Sequence, residues 1–432
     1  MLFSAPCRNS DSVIDELASS PTPNRENLVW DAVAGDFQKI KLEILHYQWM
    51  ISIMIERVGY LEEVRTGLGR GPVVALIGPR QCGKTTLARQ LMSSGEAGYF
   101  DLEDPATSMV LESPMSALAP MSGLVVVDEA QRAPGLFPVL RVLADREGQP
   151  ATFLILGSAS PELSRQAFES LAGRVEIIEM GGFGVSELRA EDLQSLWLRG
   201  GFPRSFLAKT ERDSLDWRKN FTRTFLERDL AGLGFGMAPQ AMGRFWTMLA
   251  HYHGQTWNGN EIAASMGVSP TTARSYLDAL EQTFMIRRLL PWHTNTGKRL
   301  VKTPKIYFRD SGIFHALLGI GGHADLLVHP KLGASWEGFA LEQILRAHRG
   351  EDAYFYAIHS GSELDLFFPS LGKGIEIKFR DAPKLSRSMH IAMKDLKLKE
   401  LLVVYPGTRE YPLAENIRAV PLATACGVTD GV

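Results

Sequence analysis

The stretch VVALIGPRQCGKTTLARQL, residues 73–91, changes character twice. It begins as an aliphatic run of strand type, breaks at Gly78 into a polar loop, and resumes at Lys84 with the spacing of a helix. Gly78, Gly83, Lys84 and Thr85 satisfy G-x-x-x-x-G-K-[ST] in the strand, loop and helix setting that the motif requires. Each residue type has a chemical reason. Glycines let successive backbone N–H groups wrap an anion, and a helix N-terminus favours negative charge. A lysine at this position reaches β- and γ-phosphates, and the hydroxyl after it ligates magnesium. Gly78, Pro79, Arg80, Gln81, Cys82, Gly83, Lys84, Thr85 and Thr86 are therefore expected to bind ATP, with Mg2+ at Thr85.

Working outward, a second apolar strand, Leu124 to Val127, ends in Asp128 and Glu129. A P-loop enzyme places its second magnesium carboxylate and its water-positioning base there. Asp128 is the expected metal ligand and Glu129 the expected base, which together predict hydrolysis. A third strand, Thr152 to Leu156, runs into Gly157 and Ser158, where Ser158 is placed to sense a γ-phosphate. Alternation of such strands with helical stretches from Val73 to about Ile178 is the pattern of a parallel sheet covered on both faces.

At this point the chain resembles a family: AAA+-like ATPases that carry a C-terminal domain of unknown function, DUF4143. The residues carrying the resemblance are GPRQCGKTT, LVVVDEAQ, LILGSAS, LAGRV, GGFPR, FLERDL, YFRDSGIFHALLG, and SELDLFF followed by IEIKF. They span the chain from about Ile55 to Pro406 in the family's order. The likeness to AAA+ machines implies that Arg174, in LAGRV, completes a neighbouring subunit's site, which would require a homo-oligomer. A surface or salt-bridged arginine at a strand start is the equal alternative.

Four parts are expected: an arm over 1–53, a P-loop ATPase domain over 54–185, a helical region with a winged-helix-like module over 186–320, and a DUF4143-like domain over 321–432. The arm is polar, and Met54 would leave a complete domain behind it as an alternative start. In the middle region Phe221, Phe225, Leu226 and Leu230, then Phe245, Met248 and Leu249, keep helical spacing. NGNEIAASMGVSPTTARSYLDALEQ reads as helix, turn at Gly267, and a second helix capped by Ser269 with Pro270 first. Thr271, Thr272, Arg274 and Ser275 face outward on that second helix, where a DNA-reading helix presents its contacts. Beyond it, Arg287, Arg288, Lys298, Arg299, Lys302, Lys305 and Arg309 precede the next acidic residue, Asp310, and read as a phosphate-contacting patch. Asp278 and Glu281 would repel DNA, so a lid or protein-binding module is the competing reading.

The C-terminal part reads as helix Trp336 to Ala347, three strands, a helix and a further strand ending at Tyr405. Alternation over Gly374 to Phe379 sets Glu376 and Lys378 opposite Ile375, Ile377 and Phe379, with Asp365 on the preceding strand. This spacing, after a helix carrying Glu337, resembles the restriction-endonuclease-like PD-(D/E)XK superfamily. The resemblance implies that Asp365 and Glu376 hold magnesium, that Lys378 polarises water and that Glu337 supports the metal. A binding scaffold without cleavage is the competing expectation. Glu342 and Gln343, on the same helix, read as solvated surface.

Composition narrows the partners. A net charge of −3 leaves nucleic-acid contact, to DNA or RNA, to a local patch. Three cysteines, Cys7, Cys82 and Cys426, lack metal or disulfide spacing and fit a reducing cytoplasm. The early apolar run near Ile44 to Ile55 is interrupted by His46 and Gln48, so no membrane partner is expected.

Overall fold

The computed structural model describes residues 55–92, 97–148, 151–158, 169–293, 299–359 and 361–428. The expectation of an N-terminal arm lies outside these residues. From Arg57 onward the chain forms one compact unit. Among the described residues no helix is long and apolar enough to cross a membrane.

Helix α1 (Val58–Arg70) leads into β1 (Val73–Gly78), and α2 (Lys84–Met92) follows the loop. Strands β2 (Ala97–Asp101), β3 (Gly123–Asp128), β4 (Ala151–Ser158) and β5 (Val175–Glu179) complete a parallel sheet in the order β2-β3-β4-β1-β5. Every residue of β1 is buried, because helices cover both faces. Val74 and Leu76 pack with α1, α2 and the middle region, while Val73, Ala75 and Ile77 pack with the helix Leu136–Ala144 on the other face. This order brings the ends of β1, β3 and β4 together, and ligands of open α/β sheets bind at such carboxyl ends.

The middle region is helical at first. Helix α3 (Glu211–Thr224) passes into a π-helical turn, Phe225–Asp229, and α4 (Pro239–His251) follows. The short strand β6 (Gln255–Thr256) precedes α5 (Gly259–Met266) and α6 (Pro270–Gln282), and β7 (Ile286–Leu289) and β8 (Lys305–Phe308) close an antiparallel sheet in the order β6-β8-β7. Gly267 takes the left-handed conformation that ends α5, and the Ser269 hydroxyl accepts from Thr272 N at the start of α6. Thr271, Arg274 and Ser275 are exposed and Thr272 is half-buried, as their spacing predicts.

Helix α7 (Leu332–Ala347) opens the last part, followed by β9 (Tyr354–Ala357), β10 (Glu363–Phe368), β11 (Lys373–Ile377), α8 (Arg387–Asp395) and β12 (Glu400–Tyr405). Beyond Tyr405 the chain adds β13 (Tyr411–Ala414) and β14 (Ile417–Pro421), which widen a mixed sheet to six strands. These strands are too short for their alternation to show in sequence. Strand β11 ends at Ile377, although Lys378 N still donates to Val404 O at 2.9 Å, so the chain departs from the sheet only beyond Lys378.

Two sequence expectations fail here. Glu342 and Gln343 are 2% and 6% exposed rather than solvated. Helix α7 lies between the C-terminal sheet and the rest of the molecule, and there Glu342 meets Arg287 while Gln343 Oε1 accepts from Val185 N. The basic stretch is likewise no continuous patch. Arg287 and Arg309 are drawn to Glu342, Arg288 to Asp278 and Glu281, and Lys305 to Glu363, because acids distant in sequence neutralise them. Arg299 and Lys302 stay exposed, and Lys298 lies outside the described residues.

Candidate nucleotide cleft and carboxylate cluster

The loop after β1 has the backbone of an anion cradle. Gln81 and Gly83 stand at φ of 64° and 103°, so successive N–H groups turn toward one concavity at the start of α2. Gly78 is required by packing: a Cβ there would lie 2.1 Å from the Met180 carbonyl oxygen. Behind the loop, Arg57 donates to Cys82 O at 3.2 Å and pairs with Glu187 at 2.6 Å, holding the loop against 181–187. Cys82 itself is buried and free.

Lys84 Nζ donates to the carbonyls of Gly78 and Pro79, each at 3.0 Å. Thr85 Oγ1 donates to Asp128 Oδ2 at 2.7 Å, joining the two expected magnesium ligands across the sheet. Tyr99 OH donates to the same oxygen at 2.9 Å, and burial followed by the Asp128 charge pushes the Tyr99 pKa up. Glu129 sits at a left-handed φ of 54°, with Gln131 donating to its carboxylate. A non-glycine residue in that region carries strain that marks functional turns. Ser158 is paired in register with Gly78, and its Oγ is buried without a hydrogen-bond partner. Arg80 donates to Asp229 at 2.7 Å and to Glu103 at 3.2 Å. Arg174 lies elsewhere, in a bidentate pair with Asp145 at 2.6 and 2.9 Å. Thr86 follows on α2, on the solvent side. The hydroxyl and carboxylate donors suit magnesium, and the cradle suits phosphate.

A second polar cluster lies where β8, α7, β10 and β11 meet. Asp365 Oδ2 accepts from Ile377 N at 2.7 Å, and Lys378 Nζ lies 2.6 Å from Glu376 Oε1 and 4.0 Å from Asp365. From the other side Lys305 pairs with Glu363 and lies 3.4 Å from Glu337 and 4.0 Å from Asp365. Tyr307 OH donates to Glu337 at 2.6 Å, so Glu337 is held by Tyr307 and Lys305. Burial, then the Asp365 charge, raises Glu337 to about 7 and Glu376 to about 8. Burial opposes the Lys305 charge, but Tyr307 and the surrounding carboxylates outweigh it and raise its pKa well above the usual lysine range. Among the described residues no three His, Cys, Asp or Glu side chains form a metal-holding group. Two carboxylates suffice for an ion that keeps several waters, and Glu376 Oε2 is buried without a hydrogen-bond partner. Asp365 and Glu376 thus fit a magnesium ion.

Sequence reasoning missed Tyr99, Arg57, Asp229, Tyr307 and Glu363, and misplaced Lys305. Asp229 lies within FLERDL, Tyr307 within YFRDSGIFHALLG and Glu363 within SELDLFF, motifs already noted; Tyr99 and Arg57 carry no local signal.

An AAA domain profile matches residues 70–189, a domain of unknown function (DUF8612) residues 190–324, and a domain of unknown function (DUF4143) residues 332–425. The chain is 47% identical over 426 residues to an uncharacterized protein of Mycobacterium tuberculosis and to one of Mycobacterium bovis, covering 95% of this chain and 96% of each. Among solved structures, the Walker-type ATPase of Pyrococcus abyssi aligns with a TM-score of 0.46 at 13% identity, over 61% of this chain and 96% of that one. The RuvB Holliday junction branch migration motor of Thermotoga maritima aligns with a TM-score of 0.26 at 19% identity, over 54% and 90%.

Proposed function

The chain belongs to the family that joins an AAA domain to a C-terminal DUF4143 domain, which it shares with its two mycobacterial relatives, and from this we propose that it is a magnesium-dependent ATPase. The observation that carries the proposal is the Thr85 to Asp128 hydrogen bond at 2.7 Å, set between Lys84 and Glu129. Lys84 exchanges its two loop carbonyls for β- and γ-phosphate oxygens. Thr85 and Asp128 hold the ion, while Tyr99 fixes the Asp128 carboxylate. Magnesium, when bound, neutralises charge on the β- and γ-oxygens. Glu129 orients the attacking water, and Ser158 Oγ donates toward the γ-phosphate from the end of β4. The test is magnesium-dependent ATP turnover by the full chain beside Lys84→Ala. Turnover that persists in Lys84→Ala would overturn the assignment.

A second reading, in which nucleotide state governs engagement of DNA or RNA, draws support from the outward residues of α6 and from the Asp365, Glu376 and Lys378 cluster. Asp278 and Glu281, which would repel DNA, are neutralised by Arg288. A protein-directed switch without strand cleavage draws support from the capture of Arg287, Arg288, Lys305 and Arg309 in ion pairs. Adding single- or double-stranded DNA to the turnover assay separates the two: stimulation favours the first and indifference the second.

A further inference from the structure

We infer that Arg80 is an arginine supplied in cis to the γ-phosphate of ATP, and that Asp229 of the middle region holds it back until a triphosphate arrives. The inference rests on the ATPase reading above. Arg80 lies in the phosphate loop between Gly78 and Lys84, and its guanidinium is drawn by three acids. Nη1 donates to Asp229 at 2.7 Å, Nη2 donates to Glu103 at 3.2 Å, and the Glu129 carboxylate adds to the field around it. Glu129 is the group assigned to orient water, and Arg80 belongs to the loop whose next residues, Gly83 to Thr85, cradle the phosphates. The side chain is 24% exposed, so it is not enclosed by the protein on every side.

Asp229 is built for this role. It is 7% exposed and ends the π-helical turn Phe225–Asp229 that interrupts the helix after α3. Such turns sacrifice helical regularity and recur at functional sites. Arg228 Nε lies 3.5 Å from the same Asp229 oxygen that Arg80 uses. When Arg80 leaves, Arg228 remains, so the buried carboxylate keeps a cation beside it and the usual penalty for an unpaired buried charge is avoided. Phosphate oxygens can accept two parallel, charge-assisted bonds from a guanidinium, whereas Asp229 accepts one bond from Arg80, through a single oxygen. A triphosphate therefore takes Arg80 from Asp229 and a diphosphate does not, which reports the γ-phosphate to the middle region. Arg174, committed to Asp145 in a two-point contact, has no comparable access within its own chain.

The test uses the full chain with fluorescent, non-hydrolysable ATP and ADP analogues in magnesium buffer, comparing wild type, Arg80→Ala, Arg80→Lys, Asp229→Asn and the double variant Arg80→Ala with Asp229→Asn. Arg80→Ala lowers affinity for the triphosphate relative to the diphosphate by about tenfold, and Arg80→Lys restores part of it. Turnover of Arg80→Ala falls by about a thousandfold. Asp229→Asn shifts the affinity ratio the opposite way, and the double variant behaves as Arg80→Ala. A residue with a merely structural role would weaken both nucleotides together. An unchanged ratio in Arg80→Ala, or a loss shared equally by both analogues, overturns the inference. The affinity ratio decides this whether or not the wild type hydrolyses ATP; absent turnover would remove only the hydrolysis reading.

Discussion

At the nucleotide cleft most polar groups come from two contiguous segments, 78–86 and 128–131, whereas the carboxylate cluster gathers its groups from β8, α7, β10 and β11. In the cleft, local backbone geometry does the arranging: a strand end, a left-handed pair and a helix start place Lys84 and Thr85 wherever that segment folds. In the cluster, tertiary closure does it, and Lys305 reaches Glu337, Glu363 and Asp365 only once the middle region has docked. A site of the first kind transfers with its motif. One of the second kind belongs to the whole chain.

The largest effect that would break this comparison is kinetic. Glu129→Gln should cut ATP turnover by about 10²–10⁴-fold while nucleotide binding persists, and Glu376→Gln should leave turnover close to wild type; equal losses would mean the two sites do not act separately. Next comes stability. Lys305→Met should cost about 3 kcal/mol in urea unfolding, because it strands buried carboxylates, and adding Glu337→Gln should recover part of that. An unchanged midpoint in Lys305→Met would show that the cluster does not depend on its lysine.

Smaller effects concern the packing around α7. His253 and His315 are buried, and burial pushes the pKa of each down to about 3. An unfolded histidine takes up its proton near about 6.5, so between these values the unfolded chain binds more protons. The histidine contribution to stability should be full above about pH 6.5 and fall as pH drops toward 3, whereas Glu337 and Glu376, raised to about 7 and 8, contribute stability that is lost as pH rises through those values. The histidine part is read from thermal midpoints of wild type against a His253→Gln, His315→Gln double variant across about pH 3 to 6.5. A difference that does not change with pH would exclude neutral buried histidines. The smallest effect is expected at Arg174, whose exposed pairing with Asp145 is screened by solvent. Arg174→Ala should leave turnover per chain unchanged at every protein concentration; a loss that grows with concentration would restore its role in a neighbour's site.

The P-loop, the α/β alternation, the helix-turn-helix and its caps were all legible because each depends on residues close in sequence. The Asp365, Glu376 and Lys378 convergence was legible through spacing and alternation. The rest turned on partners far along the chain. A run of positive residues shows its charge but not its counterions, so Lys305 and Arg287 read as a surface when Lys305 is buried and Arg287 is half-buried against Glu342. Glu342 and Gln343 look solvated on an isolated helix and are buried only because α7 is covered on several sides. Asp229 was visible as part of FLERDL, yet nothing local ties it to Arg80.

One atom joins the two sites that sequence profiles keep apart. The carbonyl oxygen of Gly182 accepts from Arg57 Nη2 at 2.7 Å and from Arg346 Nη1 at 2.8 Å. Arg57 is also the residue that braces Cys82 in the phosphate loop, and Arg346 belongs to the helix that carries Glu337. A gene fragment ending between 324 and 332 would respect both profile borders and still remove one of the two arginines gripping that oxygen. Modules that exchange freely over evolution meet along surfaces that tolerate a new neighbour. A single acceptor shared by two charged donors is a poor surface for such exchange, and it favours inheritance of the two halves together.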